Sequence, residues 1–138
     1  MTRIVVDASV AIKWFLPEPH SLQALRLLEG KQELLAPDLI WAEVGNVLWK
    51  RWRQGELADE NARTILQDFR RVPLLIHPAE EIAEAAWSIA SQFQRSFYDS
   101  LYLALASSQS CSMVTADRRL WNAVSSAIPF LVWVEDLG

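Results

Sequence analysis

Apolar residues fall along this chain in two rhythms. Short apolar blocks, Ile4-Val5-Val6, Leu34-Leu35-Ala36, Leu74-Leu75-Ile76, Met113-Val114-Thr115 and Phe130 to Val134, read as strands, the first of them as a buried one. Between them lie longer stretches with helical spacing. Ala8 to Leu16 is stopped by Pro17 and Ser21 to Leu28 ends at Gly30; Pro37-Asp38, with Asp38 as N-cap, opens a segment running from Leu39 to Trp52 before Gly55 closes it. Asp59 to Arg71 keeps Ala62, Ile65, Leu66 and Phe69 at helical intervals, and Ala79 to Phe93 is amphipathic. Phe97 to Ser107 reads as a more apolar helix and Arg118 to Val124 as a short one. Strands alternate with helices throughout, which predicts an α/β sandwich with a mainly parallel sheet.

Composition narrows the picture. At 138 residues and 51% hydrophobic, the chain is expected to be one domain, 1–138, with material for a real core. No run of 18 apolar residues occurs and Asp7 arrives before any signal-peptide core, so the expectation is a cytoplasmic protein without membrane insertion. Cys111 is the sole cysteine, which excludes an internal disulfide and a multi-cysteine metal site. A net charge of −4 argues against indiscriminate nucleic-acid binding, while Lys50, Arg51 and Arg53, Arg70 and Arg71, and Arg118 and Arg119 form local basic clusters. Four glycines, at 30, 45, 55 and 138, cannot write a P-loop or a dinucleotide fingerprint, and no nucleophile elbow is present. His20 and His77 sit beside prolines near element ends and read as surface residues, so histidine general-base chemistry is not expected.

Four acids stand apart from the 17 by their apolar context. Asp7 ends the first strand and Asp117 follows the fourth, at the carboxyl ends where open α/β sheets bind ligands. Asp7 also reads as a helix N-cap, a role compatible with a structural purpose alone. Glu43 projects from the face that carries Leu39, Ile40, Val44 and Val47, with Asn46 one turn on and able to hydrogen-bond it. Asp99 precedes Tyr102, Leu103 and Ala106 at helical spacing, and as a first-turn acid it also favours the helix dipole. Carboxylates in such settings need partners or a metal. If they converge, all-oxygen ligation selects Mg²⁺ or Mn²⁺, and an acid cluster with such an ion suits phosphodiester hydrolysis.

The quartet, in its settings Val6-Asp7-Ala8-Ser9, Glu43-Val44-Gly45-Asn46, Tyr98-Asp99-Ser100-Leu101-Tyr102 and Thr115-Ala116-Asp117-Arg118, resembles the PIN domain, and within it the VapC-like toxin ribonucleases of toxin–antitoxin pairs. The resemblance covers essentially the whole chain and rests on the spaced combination. It implies a three-layer α/β/α fold and a Mg²⁺- or Mn²⁺-dependent endoribonuclease acting on RNA such as tRNA. In it Asp7, Glu43, Asp99 and Asp117 are catalytic and Asp7, Asp99 and Asp117 ligate the metal, the first two most directly. Ser9 and Thr115 match hydroxyl positions lining the pocket, and Asn46 matches a polar residue orienting the glutamate. Some relatives carry a further acid after the fourth, whereas this chain has Arg118 and Arg119, a departure that argues against a second tightly held metal. Either arginine could contact RNA phosphates or be solvated.

The resemblance also implies a homodimer and a cognate antitoxin. Trp41, Gly45, Trp49 and Trp52 share a helix face opposite Glu43. That stripe suits packing on the Asp59–Arg71 helix, a protein interface, or, with Lys50, Arg51 and Arg53 interleaved, an RNA contact. Two other function classes remain open: a catalytically silent PIN-fold binding module, and a PIN nuclease in RNA processing or acting on DNA. Retention of all four acids argues against silence. Ser9 rules out the Asp-x-Asp of haloacid-dehalogenase phosphatases, and the absence of any lysine after Lys50 rules out response-regulator receiver domains.

Overall fold

In the computed structural model of the chain, which describes residues 2–137, five parallel strands form one sheet in the order β3-β2-β1-β4-β5. The strands are β1 (Thr2–Val6), β2 (Gln32–Pro37), β3 (Leu74–His77), β4 (Ser112–Thr115) and β5 (Leu131–Trp133). Every pairing is parallel, beyond the mainly parallel sheet expected. Seven α-helices flank the sheet among the described residues: α1 (Ala8–Ala11), α2 (Ser21–Arg26), α3 (Leu39–Arg53), α4 (Asp59–Phe69), α5 (Ala83–Phe93), α6 (Phe97–Ser108) and α7 (Arg118–Val124). The result is a three-layer α/β/α fold. Ile4, Val5 and Val6 are buried because helices cover both sheet faces, which is why this strand reads as an unbroken apolar block.

The chain builds outward from β1 to β2 and β3 on one side, then returns to place β4 and β5 on the other. The reversal falls between β1 and β4, where Val6 is level with Val114. Outside the carboxyl ends of two such strands the connections diverge and leave a crevice. Helix α6 packs across β1, β2 and β4, and α5 lies along α6. Its run from Ser100 to Ala106 is buried throughout, matching its more apolar sequence.

Local endings follow the predicted punctuation, with adjustments. The first helix is α1 continued by a 3₁₀ turn, Ile12–Trp14, and the segment from Ala79 opens as a 3₁₀ turn before α5. Gly30 adopts φ +81° after the 3₁₀ turn that extends α2, a left-handed conformation suited to glycine. Asp38 precedes α3 but does not cap it with its side chain; its Oδ1 accepts instead from the Ala79 N–H at 3.1 Å, because the pairing of Pro37 with His77 brings the ends of β2 and β3 together. No helix among the described residues is long and apolar enough to cross a membrane.

Candidate active site

The crevice at the strand reversal is a cleft of about 570 Å³, and Asp7, Glu43, Asp99 and Asp117 all line it. They come from four elements: the end of β1, the first half of α3, the first turn of α6 and the turn after β4. Ser9 and Asn46 also line it, as do three residues the sequence did not single out for this site, Lys50, Tyr98 and Tyr102.

Asp7 is the most constrained of the four. The Ser9 hydroxyl donates to its Oδ1 at 2.6 Å, the Val10 N–H to the same oxygen at 3.1 Å, and the Thr115 hydroxyl to Oδ2 at 2.6 Å. It therefore does cap α1, as one of its functions. The Thr115 bond follows from register: with Val6 opposite Val114, the next residues on the two strands meet. The two hydroxyls also accept, Ser9 Oγ from the Ala116 N–H at 2.9 Å and Thr115 Oγ1 from the Asp117 N–H at 3.1 Å. They thus tie Asp7 to the segment carrying Asp117. Asp117 in turn caps α7 through Oδ1, which accepts from the Arg119 and Leu120 N–H groups at 3.0 and 3.3 Å. Thr115 does not line the cleft itself; it acts on the site through Asp7 and Asp117.

Burial dominates the titration of this carboxylate. Asp7 is 6% exposed, and desolvation carries its pKa up to about 6, against the opposing pull of Ser9, Thr115 and Val10, with the Asp117 charge adding to the rise. Burial likewise raises Glu43, where the Tyr102 hydrogen bond opposes and the charges of Asp99 and Asp117 reinforce. Asp99 is raised by burial and then by Asp117, with Arg95 working against both. Asp117 is thus the charge felt by each of the other three.

Glu43 is oriented by Tyr102, whose hydroxyl donates to Oε1 at 2.6 Å, in the place expected for Asn46; Asn46 is exposed on the cleft wall. The signal was present in the sequence: a tyrosine within the aliphatic stripe of α6 brings a hydroxyl that needs a partner when buried. Asp99 meets Arg95 one turn earlier, Nη2 to Oδ2 at 3.5 Å, and its N–H is capped by Ser96 Oγ at 3.0 Å. Arg118 is not brought into the cleft. Its guanidinium lies 3.9 Å from the centre of the Trp133 ring, because α7 turns this residue toward β5.

The basic cluster at the end of α3 divides. Lys50 faces the cleft, whereas Arg51 is paired with Glu18 and Glu56, and Glu18 also receives the buried Lys13 at 3.1 Å. The tryptophan stripe divides as well. Trp41 packs on Phe69 of α4 with ring centres 4.6 Å apart, while Trp49 and Trp52 stand 52% and 45% exposed beside a groove between α3 and α4.

Residues 4–125 match the PIN domain. Ribonuclease VapC3 from Pyrobaculum aerophilum is 35% identical over 120 residues, covering 86% of this chain and 92% of that protein. Ribonuclease VapC9 from Mycobacterium tuberculosis is 31% identical over 129 residues, 94% of this chain and 97% of its own length. Among solved structures, a toxin–antitoxin complex from Klebsiella pneumoniae shares the fold with a TM-score of 0.63 at 18% identity, over 94% of this chain and 95% of that one. With a match that takes in all four cleft acids and the strand reversal that gathers them, this chain belongs to the PIN domain family.

Proposed function

We propose that the chain is a Mg²⁺- or Mn²⁺-dependent endoribonuclease, the toxin of a toxin–antitoxin pair, hydrolysing phosphodiester bonds in RNA such as tRNA. The observation that carries this reading is the convergence of Asp7, Glu43, Asp99 and Asp117 on one cleft where burial and mutual repulsion raise three of them. Relatives at 31–35% identity are named ribonucleases, which supports RNA as the substrate.

The donor set is all hard oxygen, the chemistry that suits Mg²⁺ or Mn²⁺. Among the described residues no three His, Cys, Asp or Glu side chains are already gathered closely enough to hold an ion, so the acids would have to draw together on binding it. Asp7, Asp99 and Asp117 are the residues that would hold it. Such an ion supplies a lowered pKa for bound water and charge neutralisation at the leaving oxygen. Glu43, aimed by Tyr102 and with its pKa raised by burial, accepts the proton of the attacking water. Lys50 on the wall offers a positive charge to the RNA phosphates.

As partners we propose a second copy of the chain and a cognate antitoxin, the latter supported by the fold shared with a chain of a toxin–antitoxin complex. The exposed Trp49 and Trp52 offer a surface for either. The reading places the protein in the cytoplasm, where its RNA substrates are.

The test is cleavage of labelled total tRNA and structured single-stranded RNA in Mg²⁺, Mn²⁺ or EDTA, with Asp99→Asn prepared identically. Cleavage that requires the ion and disappears in the variant supports the reading. Equal cleavage by the variant, or a folded protein that binds no divalent ion, overturns it.

A further inference from the structure

Beside the acid cleft lies a second hollow, of about 340 Å³, lined by Trp87, Ala90, Ser91 and Gln94 of α5 and its C-terminal turn and by Arg95 and Phe97 at the start of α6. Trp87 and Tyr98 are the two most exposed large aromatics among the described residues, at 67% and 60%, and Phe97 is 38% exposed. These three rings on α5 and α6 leave apolar surface in water that nothing in the isolated chain covers.

The hollow and the cleft share no lining residue and are joined through the first turn of α6. Arg95 lines the hollow and reaches Asp99 in the cleft at 3.5 Å, and Tyr98, next to Phe97, lines the cleft itself. Arg95 is also under-satisfied: its Nε is buried without a hydrogen-bond partner among the described residues. Aromatic faces next to an arginine, with polar Ser91 and Gln94 between them, have the chemistry that holds an unpaired base by stacking while its backbone is drawn to positive charge. The α3–α4 groove differs. Its walls are Leu48, Trp49, Trp52 and Leu66, and the charged pair at its edge, Asp59 and Arg63, is bound to itself at 2.7 Å.

We propose that the Trp87–Phe97 hollow is a nucleobase subsite: it seats an unpaired base of the RNA next to the phosphate held in the acid cleft, and Arg95 spans the two. The proposal rests on the ribonuclease reading and adds a substrate-binding site to it. What it adds is the place of one contact: the base flanking the cut is held by the rings of Trp87 and Phe97.

The test is binding, with cleavage disabled by Asp7→Asn, of a fluorescently labelled single-stranded oligoribonucleotide and of its duplex, read by anisotropy. Trp87 is so exposed that its replacement leaves the fold intact. Adding Trp87→Ala is expected to weaken single-strand binding ~10-fold and to leave duplex binding unchanged, with Trp87→Phe retaining most of the affinity. Equal single-strand binding with and without Trp87 overturns the subsite while leaving the ribonuclease reading in place. No RNA binding by either protein counts against both. Conversion of a dimer to a monomer by Trp87→Ala, measured by sedimentation, assigns the surface to contact between copies and also overturns the subsite.

Discussion

Tyr102 donates a 2.6 Å hydrogen bond to Glu43 across 59 positions of sequence, joining the apolar helix α6 to the acid face of α3. The tyrosine ring is buried and its hydroxyl is the one polar atom of that side chain, so Tyr102→Phe keeps the packing and removes the bond. A hydrogen bond to a charged group contributes about 1.5–3 kcal/mol. We expect the variant to stay folded and to cut RNA roughly 10- to 100-fold more slowly on that scale. Because the bond holds the Glu43 pKa down, its loss lets burial raise that pKa further, so the acidic limb of the activity profile moves to higher pH. A rate-against-pH series on both proteins checks this. An unshifted limb means that Glu43 is not the proton acceptor.

Asp7 predicts a trade between stability and activity. Its pKa stands at about 6 against 3.8 for the free group, so the folded state holds the proton more tightly than the unfolded chain. That contribution to stability is complete below the unfolded value and is lost as pH rises through about 6. Above that, the buried charge costs about 3 kcal/mol at 1.36 kcal/mol per pKa unit. Asp7→Asn is neutral at every pH. In EDTA its melting temperature should exceed that of the parent at pH 8, and the gap should close toward pH 4. Added Mn²⁺ should restore the parent, by about 2.7 kcal/mol at a hundredfold excess over Kd, and do little for the variant. Thermal melts over that pH range, with and without the ion, decide the matter.

The tryptophans of α3 separate by what they touch. Trp41→Ala removes a half-buried ring from Phe69 and should destabilise the chain by about 2–3 kcal/mol, somewhat below the range for a fully buried tryptophan. Trp49→Ala should stay within about 0.5 kcal/mol in the isolated chain, since half of that side chain is already in water. Urea titrations of the two variants give the comparison. A large loss for Trp49→Ala means that the ring is held by a second copy.

The strands and the acid quartet were legible in the sequence because both are local. A block such as Ile4-Val5-Val6 is apolar whichever face is counted, and an acid in an apolar setting is visible without knowing what it meets. What each acid meets was harder to read. The orienting hydroxyl for Glu43 comes from α6, not from Asn46 three residues away, since the packing of two helices decides it. Ser9 and Thr115 were expected at the pocket only through family likeness; their bonds to Asp7 depend on the β1–β4 register, which no single strand discloses. Arg118 was drawn elsewhere by an aromatic ring on β5, and Asp38 by the start of the segment after β3.

The strand reversal also orders events in time. Synthesis to Cys111 yields Asp7, Glu43 and Asp99 but neither the Thr115 hydroxyl that fixes Asp7 nor Asp117, whose charge reaches all three. The earliest carboxylate waits for almost the last strand before its geometry exists. A chain with this layout cannot complete its acid cleft while most of it is still being made; the site closes only when the strand beside β1 arrives.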